Sequence, residues 1–229
     1  MTKFNQQEFN QFIIENNVIG FFKEPITLKS GRLSHWYVNW RYVAEDPFLL
    51  ECLADYIIAF VKDLELEPDC FYGVPEGATK LGIITQYKWA KKSPNYGPRS
   101  HILAMGRGKP KTHGEPKDRF FVGQPKGKLI VLEDITTTGS SLFETINNLK
   151  SIKVQIIAAI ILTNRMELTD DKRNVKEIMT EEKGVSYFQM SNALELLPLA
   201  YKKIKPGEEI AKRVEEYFQK YGVKKLKLQ

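Results

Sequence analysis

The sequence has little of what disulfide-stabilised or metal-built folds need. Its 229 residues include only two cysteines, Cys52 and Cys70, and three histidines. The cysteines lie far apart and match no metal-ligand spacing, so we expect two ordinary buried thiols in a reducing compartment. The composition therefore excludes a disulfide framework and gives no sign of a structural metal.

Long apolar runs are missing as well. Residues 1–7 contain no continuous apolar segment, and no stretch approaches the roughly 18 apolar residues that a membrane span requires. We therefore expect a cytoplasmic, soluble protein that makes no membrane contact. Hydrophobic residues still form 42% of the chain, enough to bury a sizeable core in one main domain.

Acidic residues are too few to balance the basic ones, and the formal net charge is +6. Part of this excess lies in a C-terminal tail in which no acidic residue follows Glu216. A second basic group brackets a glycine-rich segment and comprises Arg99, Arg107, Lys109, Lys111, Lys117 and Arg119. Because these cations surround a loop, the pattern favours a small polyanion as ligand, and we expect no nucleic-acid partner.

Strand and helix patterns alternate along the middle of the chain. Apolar runs predict strands at residues 69–74, 101–105, 129–132 and 156–162, and helical spacing predicts helices at residues 47–64, 77–91 and about 140–149. Uninterrupted apolar strands are typical of a sheet covered on both faces. The alternation therefore predicts an α/β fold with an open, mainly parallel sheet flanked by helices.

The ends of the chain and one internal segment depart from this alternation. A short N-terminal helix leads into an irregular stretch at residues 20–43, and we expect residues 1–43 to form a small hood on a core at residues 44–229. Towards the C-terminus we expect a helix at residues 171–183, a strand at 185–189 and a final helix. Residues 106–127 hold five glycines and three prolines without periodicity, which predicts a long mobile loop of the kind that often covers an active site.

One segment after a buried strand has the composition of an anion site. Residues 133–141 read Glu-Asp-Ile-Thr-Thr-Thr-Gly-Ser-Ser and open a helix, whose first N–H groups and hydroxyls suit a phosphate. Glu133 and Asp134 would repel phosphate, but they can accept hydrogen bonds from the hydroxyls of an attached sugar, or engage a metal. The plain alternative is an acidic strand end followed by helix-capping residues. Strand, acidic pair and hydroxyl run together favour a phosphorylated sugar.

Residues 129–141 closely resemble the phosphoribosyl pyrophosphate signature of the type I phosphoribosyltransferases, with Thr136 where an aliphatic residue is more common. Residues 26–41 resemble the N-terminal signature of the orotate phosphoribosyltransferases, although His35 replaces a usual proline. There Lys29 offers a cation, and Trp36 and Tyr37 offer aromatic surface on which a planar base can lie. The alternative for these two aromatics is ordinary core packing.

Three further segments resemble the orotate-specific family. Arg107 with residues 111–114, Lys-Thr-His-Gly, is similar to its catalytic loop, except that Gly108 stands where a second lysine is usual and Lys109 follows one position later. Residues 163–167, Thr-Asn-Arg-Met-Glu, are similar to its Asp-Arg segment, with Asn164 in place of the Asp. Residues 72–77 fit its turn beneath the pyrophosphate, although Glu76 and the later Lys80 are unusual there.

The resemblance implies transfer of a phosphoribosyl group from phosphoribosyl pyrophosphate to orotate, with Mg²⁺ on the diphosphate and no protein nucleophile. It assigns catalysis to Arg107, Lys111, His113 and Asp134. It assigns phosphoribosyl pyrophosphate binding to Lys29, Lys109, Glu133, Asp134, Thr137, Thr138, Gly139, Ser140 and Ser141. It assigns orotate binding to Lys29, Tyr37 and Arg165, and it implies a homodimer whose loop crosses to the neighbouring site.

Other functions remain open from the sequence alone. A relative that uses another nucleobase is favoured if His35, Gly108 and Asn164 reflect a changed pocket. A regulator that senses phosphoribosyl pyrophosphate without turnover is a second possibility, against which Lys111 and His113 speak, because a sensor needs no catalytic loop. A nucleic-acid binder rests on the basic tail alone.

Overall fold

The structure is a computed structural model that describes residues 3–113, 115 and 119–228. The other positions, which include Gly114 and Lys117 of the expected loop, lie outside the described residues. Helices occupy α1 (Gln6–Glu15), α2 (Arg41–Ala44), α3 (Pro47–Asp63), α4 (Thr79–Lys91), α5 (Ser140–Ser151), α6 (Val175–Glu177), α7 (Ala193–Ile204) and α8 (Glu208–Tyr221). Strands occupy β1 (Ile19–Thr27), β2 (Leu33–Val38), β3 (Cys70–Gly73), β4 (Met105–Gly106), β5 (Phe121–Val122), β6 (Lys128–Thr136), β7 (Gln155–Asn164) and β8 (Ser186–Asn192).

A parallel sheet of four strands, in the order β3-β6-β7-β8, forms the centre of the fold. Alternate side chains of β6 enter two separate apolar clusters: Ile130 and Leu132 pack with α3, α7 and α8, whereas Leu129 and Val131 pack with α5. Both faces of the sheet are therefore covered, as uninterrupted apolar strands require. The predicted open parallel α/β fold is confirmed.

Helix α3, predicted at residues 47–64, shows how the local sequence determines where a helix begins and which face it buries. The side chain of Asp46 accepts a hydrogen bond from the Leu49 N–H, and Pro47 occupies the first turn of α3, where its missing N–H costs nothing. Leu50, Leu53 and Ile57 then repeat at helical spacing and are buried against the sheet. Capping and periodicity thus agree on both the start and the buried face of this helix.

The prediction of a strand at residues 101–105 was wrong. Of this run only Met105 is in a strand, and it pairs antiparallel with Val122 of β5 outside the central sheet. Leu103 is exposed, so the apolar run does not supply a buried strand face. A short apolar run is consistent with a strand but does not show by periodicity whether the strand forms.

The segment expected to be a loop without strands is closed at its base by a hairpin. Gly106 pairs with Phe121, and beyond them the Arg107 N–H donates to the Phe120 carbonyl at 2.9 Å. The Phe121 ring is buried against Tyr72 of β3, with ring centroids 6.0 Å apart. This aromatic contact ties the base of the segment to the sheet.

The N-terminal stretch predicted to be irregular instead forms an antiparallel hairpin of β1 and β2. In β2 the side chains of Ser34, Trp36 and Val38 alternate inward, a period-2 pattern that was present in the sequence. Trp36 stacks on Phe218 of α8 with ring centroids 5.8 Å apart. The hairpin therefore shares its core with the C-terminal helices.

The helix predicted at residues 171–183 starts later, at Val175, because Asn174 caps it and accepts a hydrogen bond from the Glu177 N–H. A π-helical turn at Ile178–Glu182 continues it. Of the two expected buried thiols, Cys70 is buried, and burial raises its pKa to about 12, whereas Cys52 is only half-buried. Among the described residues, we find no helix with the length and apolar character needed to span a membrane.

Candidate active site

A cleft opens at the carboxyl edge of the sheet, where ligands of parallel α/β folds collect. Its inner part has a volume of about 250 Å³ and lies between the β1–β2 hairpin and the segment from β6 to α5, residues 133–141, here called the phosphate loop. The predicted site residues that line it are Lys29, Tyr37, Glu133, Asp134, Thr137, Thr138, Gly139, Ser140, Ser141 and Arg165. Three distant segments of the sequence thus meet in one cavity.

The phosphate loop depends on Gly139. This residue has φ +77°, in the left-handed region, and directly precedes α5. A Cβ at this position would lie 2.8 Å from the Phe143 ring and 2.9 Å from Val175. Glycine suits both the conformation and the space, and the turn places Gly139, Ser140 and Ser141, at the start of α5, in the lining of the cleft.

Thr136 does not line the cleft. Its hydroxyl pairs with the Tyr187 hydroxyl at 2.8 Å inside the fold, and both side chains are buried. Thr136, the unusual residue of the signature, therefore forms a hydrogen bond with Tyr187 of β8 and does not alter the lining of the cleft.

Glu133 and Asp134 form a carboxylate pair at the end of β6. Glu133 is 6% exposed, and burial, reinforced by the neighbouring charge of Asp134, raises its pKa well above the usual value. Burial also raises the pKa of Asp134, an effect partly opposed by its hydrogen bonds and by the charge of Arg41. The pair is therefore poorly compensated, which suits it to accept hydroxyl hydrogen bonds or a cation.

Arg41 is a cleft residue to which the sequence analysis gave no role. It lies at the start of α2, is exposed and lines the cavity that contains the carboxylate pair. Its signal was its place at the end of the matched segment at residues 26–41. Lys29, from the turn between β1 and β2, reaches across the cleft, where its Nζ donates to Ser141 Oγ at 2.7 Å.

Arg165 enters the cleft from the end of β7 and is almost completely buried, at 1% exposure. Its guanidinium carbon lies 3.7 Å from the Trp36 ring centroid, and its Nε donates to Glu167 Oε1 at 2.7 Å. Nη2 donates to Ser34 Oγ at 3.2 Å, while Nη1 finds no hydrogen-bond partner in the described part of the chain. Trp36 is thus core beneath the arginine, and of the two expected aromatics only Tyr37 lines the cleft.

The basic loop stands apart from the inner cleft. Arg107 lines an adjoining cavity of about 270 Å³, which shares Lys29, Glu76 and Ser141 with the inner part. Lys109, Lys111 and His113 are exposed and line neither cavity. In a single chain, the structure does not bring these three side chains to the phosphate loop.

Two departures from the family pattern meet at the junction of the cavities. A Cβ built on Gly108 would collide with Glu76 Oε1. A lysine at position 108 would therefore displace the Glu76 carboxylate, the flexible end of that side chain, so the two departures are in direct contact. Together they leave a carboxylate where the resemblance implies a cation.

The other departures lie outside the cleft. The His35 Nδ1–H donates to the Phe22 carbonyl across the hairpin at 3.1 Å. Asn164 Nδ2 donates to Gln189 Oε1 at 2.8 Å, a bond that an aspartate could not donate. Neither substitution alters the inner cleft directly.

Among the described residues there is no cluster of three or more His, Cys, Asp or Glu side chains that could hold a metal. The oxygens of Glu133 and Asp134 are nevertheless hard donors, and the raised pKa values show that a positive charge would stabilise their ionised forms. The pair fits a divalent cation that is held mainly by a substrate.

No family model matches the chain. An orotate phosphoribosyltransferase of Methanosphaera stadtmanae is 30% identical to it over 167 residues, which cover 73% of this chain and 85% of that protein. The chain belongs to the orotate phosphoribosyltransferase family. The orotate phosphoribosyltransferase of Marinobacter nauticus is 27% identical over 225 residues, covering 95% of this chain and 98% of that protein.

Solved structures show the same fold. The crystal structure of an orotate phosphoribosyltransferase of Francisella tularensis superposes with a TM-score of 0.66 at 23% identity, and the match covers 94% of this chain and 99% of that one. The shared fold therefore extends over nearly the whole chain.

Proposed function

We propose that this chain transfers the 5-phosphoribosyl group from phosphoribosyl pyrophosphate to orotate, giving orotidine 5′-monophosphate and pyrophosphate in pyrimidine biosynthesis. One observation carries the proposal: the phosphate loop, the carboxylate pair and Arg165 line a single cleft. A phosphate, a sugar and an anionic base each find a chemically matched group there.

The phosphate loop would hold the 5′-phosphate of the donor. Backbone N–H groups and hydroxyls of Thr137, Thr138, Gly139, Ser140 and Ser141 supply the donors, and the N-terminus of α5 adds its favourable dipole. Lys29 already donates to Ser141 and can give a cation to the same phosphate or to the diphosphate. The donor is thus anchored at the end remote from the bond that breaks.

Glu133 and Asp134 would accept hydrogen bonds from the two ribose hydroxyls. Because the carboxylates are buried beside each other, they ionise fully only when a ligand compensates their charge. When the reacting carbon loses pyrophosphate it gains positive charge, and nearby carboxylates stabilise that charge. We place Asp134 among the catalytic residues for this reason.

Mg²⁺ is the proposed cofactor and would be held mainly by the diphosphate. In the cleft, the carboxylate oxygens of Glu133 and Asp134 are the protein ligands of the kind that Mg²⁺ prefers. Bound there, it would neutralise charge on the departing pyrophosphate. The protein residues that face the same group are Arg107 in the adjoining cavity, with Lys111, His113 and Lys109 on the loop.

The loop residues need either loop closure or a second chain to reach the cleft. We propose that the enzyme is a homodimer whose loop crosses to the neighbouring site, which is supported by the exposed position of Lys111 and His113 in the single chain. Cations that arrive as pyrophosphate leaves act in the transition state more than in substrate binding.

Orotate would lie against Tyr37, with its carboxylate directed to Arg165 and Lys29. A guanidinium binds a carboxylate through charge-assisted hydrogen bonds, which an uncharged base could not form. We further propose that residues 1–43 act as the base-side hood of a core at residues 44–229. A cytoplasmic location is proposed because both thiols are free.

The experiment incubates the protein with phosphoribosyl pyrophosphate and Mg²⁺ and, separately, orotate, uracil, hypoxanthine or adenine, and measures pyrophosphate and nucleotide. We expect nucleotide from orotate. Nucleotide from another base alone would replace orotate as the acceptor, and release of no pyrophosphate with any base would refute the proposed transfer.

A further inference from the structure

The side chain of Glu167 lies at the centre of a buried polar cluster behind the base pocket. Its Oε1 accepts from Arg165 Nε at 2.7 Å, and its Oε2 accepts from Arg32 Nη1 at 2.9 Å and from the Tyr217 hydroxyl at 2.8 Å. The side chain is fully buried and does not line the cleft. Glu167 therefore touches Arg165 without touching the space where a substrate would lie.

The three donors come from three separate parts of the fold. Arg32 belongs to the turn of the N-terminal hairpin, Arg165 follows β7, and Tyr217 lies in α8. Burial raises the pKa of Tyr217, so its hydroxyl keeps its proton and remains a donor. A carboxylate held from three directions cannot reorient, and it fixes the Nε edge of the Arg165 guanidinium.

The two Nη atoms of the Arg165 guanidinium have fewer hydrogen-bond partners than they can use. Ser34 Oγ accepts from Nη2, but Nη1 is buried and has no hydrogen-bond partner within the described ranges. A buried, unpaired donor is costly, about 1–3 kcal/mol, and more when it is charged. The bonds to Glu167 and Ser34 therefore hold the guanidinium through two of its three nitrogens.

The charges of the cluster also leave a surplus beside the pocket. Arg32 and Arg165 share one buried carboxylate, and the other acid near Arg32, Asp170, is almost wholly exposed to solvent. Water screens the charge of Asp170, so the buried cluster carries excess positive charge. Of Arg32, Glu167 and Arg165, it is Arg165 that also lines the cleft.

We propose that Glu167 is a positioning residue for base recognition: with Ser34, it holds Arg165 in the position from which this side chain lines the cleft and can bind the carboxylate of an anionic base. This inference rests on the proposed transfer to orotate. An untethered guanidinium has many orientations, and losing them upon binding costs affinity. Prior fixation by Glu167 and Ser34 removes that cost for the carboxylated base alone.

The test compares variants that remove the tether with variants that keep it. Glu167→Ala removes the acceptor of Arg165 Nε, and we expect KM for orotate to rise about tenfold to a hundredfold, as for a lost hydrogen bond to a charged group. KM for phosphoribosyl pyrophosphate should stay within about twofold, because the phosphate loop is untouched. Glu167→Gln keeps an oxygen for Nε and should recover most of the orotate KM.

Tyr217→Phe is the matched control, because it removes a donor to the other oxygen of the same carboxylate. It should lower the melting temperature while leaving KM for orotate within about twofold of wild type, as the Arg165 contact persists. A merely structural role would instead make the orotate KM follow the loss of stability across Ala, Gln and Phe variants. That correlation would overturn the inference.

If Glu167→Ala does not fold, Ser34→Ala tests the inference instead. It removes the hydrogen bond from Arg165 Nη2 to Ser34 Oγ without removing a charge. We expect a rise of about threefold to tenfold in orotate KM alone. Unchanged orotate KM in a folded Ser34→Ala or Glu167→Ala enzyme overturns the inference and leaves the transfer reaction intact. A wild-type enzyme that makes no nucleotide from orotate overturns the proposed function and the inference with it.

Discussion

The phosphate loop and the basic loop are two halves of one proposed site, yet they are built differently. The phosphate loop follows a buried strand, is fixed by Gly139 and receives a hydrogen bond from Lys29. Lys109, Lys111 and His113 lie exposed on a segment whose base is tied to the sheet by Phe121 and whose Lys111 N–H donates to the Arg119 carbonyl at 2.8 Å. The contrast supports the proposal that donor binding is preorganised in the single chain, whereas the loop cations reach the leaving group only after loop closure or from a second chain.

The residues that depart from the family pattern fall into two groups according to where they lie. Thr136, His35 and Asn164 have partners inside the fold and leave the inner cleft unchanged. Glu76 and Gly108 instead meet at the cavity next to Arg107. Of these five departures, Glu76 and Gly108 are therefore the two that border a cavity of the proposed site.

Lys111→Ala gives the largest expected effect and addresses the basic loop. Removing a cation that acts as pyrophosphate departs should lower kcat about a hundredfold to a thousandfold, with KM for phosphoribosyl pyrophosphate little changed. Steady-state kinetics at saturating orotate measure both. Equal losses in turnover and donor affinity would show that Lys111 acts in ground-state binding, and the proposed difference between the basic loop and the phosphate loop would be wrong.

Gly139→Ala addresses the phosphate loop, where we expect the loss to fall on donor affinity. The left-handed backbone costs about 1–2 kcal/mol for a residue with a Cβ, and displacement of the neighbouring side chains adds to it. Calorimetric titration should show phosphoribosyl pyrophosphate binding weakened about tenfold or more.

Gly184→Ala is the control for that variant. Gly184 also has positive φ, but a Cβ there has nothing within 4 Å, and the residue lies outside the cleft. It should lose about 1 kcal/mol of stability and no donor affinity. Equal binding by the two variants would show that the shape of the phosphate loop does not matter.

Glu133→Gln tests the buried carboxylate pair through pH. The folded, unliganded protein favours the protonated acid because the pKa of Glu133 is raised, so wild-type stability should fall as pH rises from the ordinary carboxyl range through that raised value. Glutamine stays neutral, so the variant should avoid this loss and melt at a higher temperature at neutral and alkaline pH, with the gap closing in acid.

Donor binding should respond to pH in the opposite sense, because ribose hydroxyls donate to the ionised form. Wild-type affinity for phosphoribosyl pyrophosphate should weaken as pH falls below the raised pKa of Glu133, and Glu133→Gln should lose that dependence. Identical pH dependence in the two proteins would mean that Glu133 is not the group that titrates.

The smallest expected effect concerns Glu76 and Gly108. Gly108→Lys alone requires the Glu76 carboxylate to shift and then pairs with it, whereas Gly108→Lys with Glu76→Ala leaves the new cation unpaired beside Arg107. A double-mutant cycle on pyrophosphate affinity should give a coupling of about 1 kcal/mol. If the effects of the two substitutions on pyrophosphate affinity are additive, Glu76 and Gly108 act independently.

Much of the fold was predictable because its signals are local. The apolar strand at residues 129–132, the capped start of α3 and the glycine of the phosphate loop each carry their information within a few residues. The hairpin at residues 19–38 was missed although Ser34, Trp36 and Val38 alternate, because the adjacent aromatic residues Trp36 and Tyr37 obscure the period. The strand predicted at residues 101–105 was lost because its burial depended on tertiary packing.

For the site, sequence named most cleft residues but could not show their contacts. Lys29 is 112 positions from Ser141, and Arg32 is 135 positions from Glu167, so no local pattern reveals either pair. The collision of Glu76 with position 108 likewise needs the folded chain. Residue types indicated the chemistry, and only the fold could supply the distances.

A competition assay tests the central assignment most directly. The enzyme, phosphoribosyl pyrophosphate and Mg²⁺ are mixed with equal concentrations of orotate and uracil, and the two nucleotides are separated and quantified. The Arg165 geometry predicts orotidine 5′-monophosphate as the overwhelming product. Comparable amounts of uridine 5′-monophosphate, or uridine 5′-monophosphate alone, would contradict the assignment of this cleft to a carboxylated base.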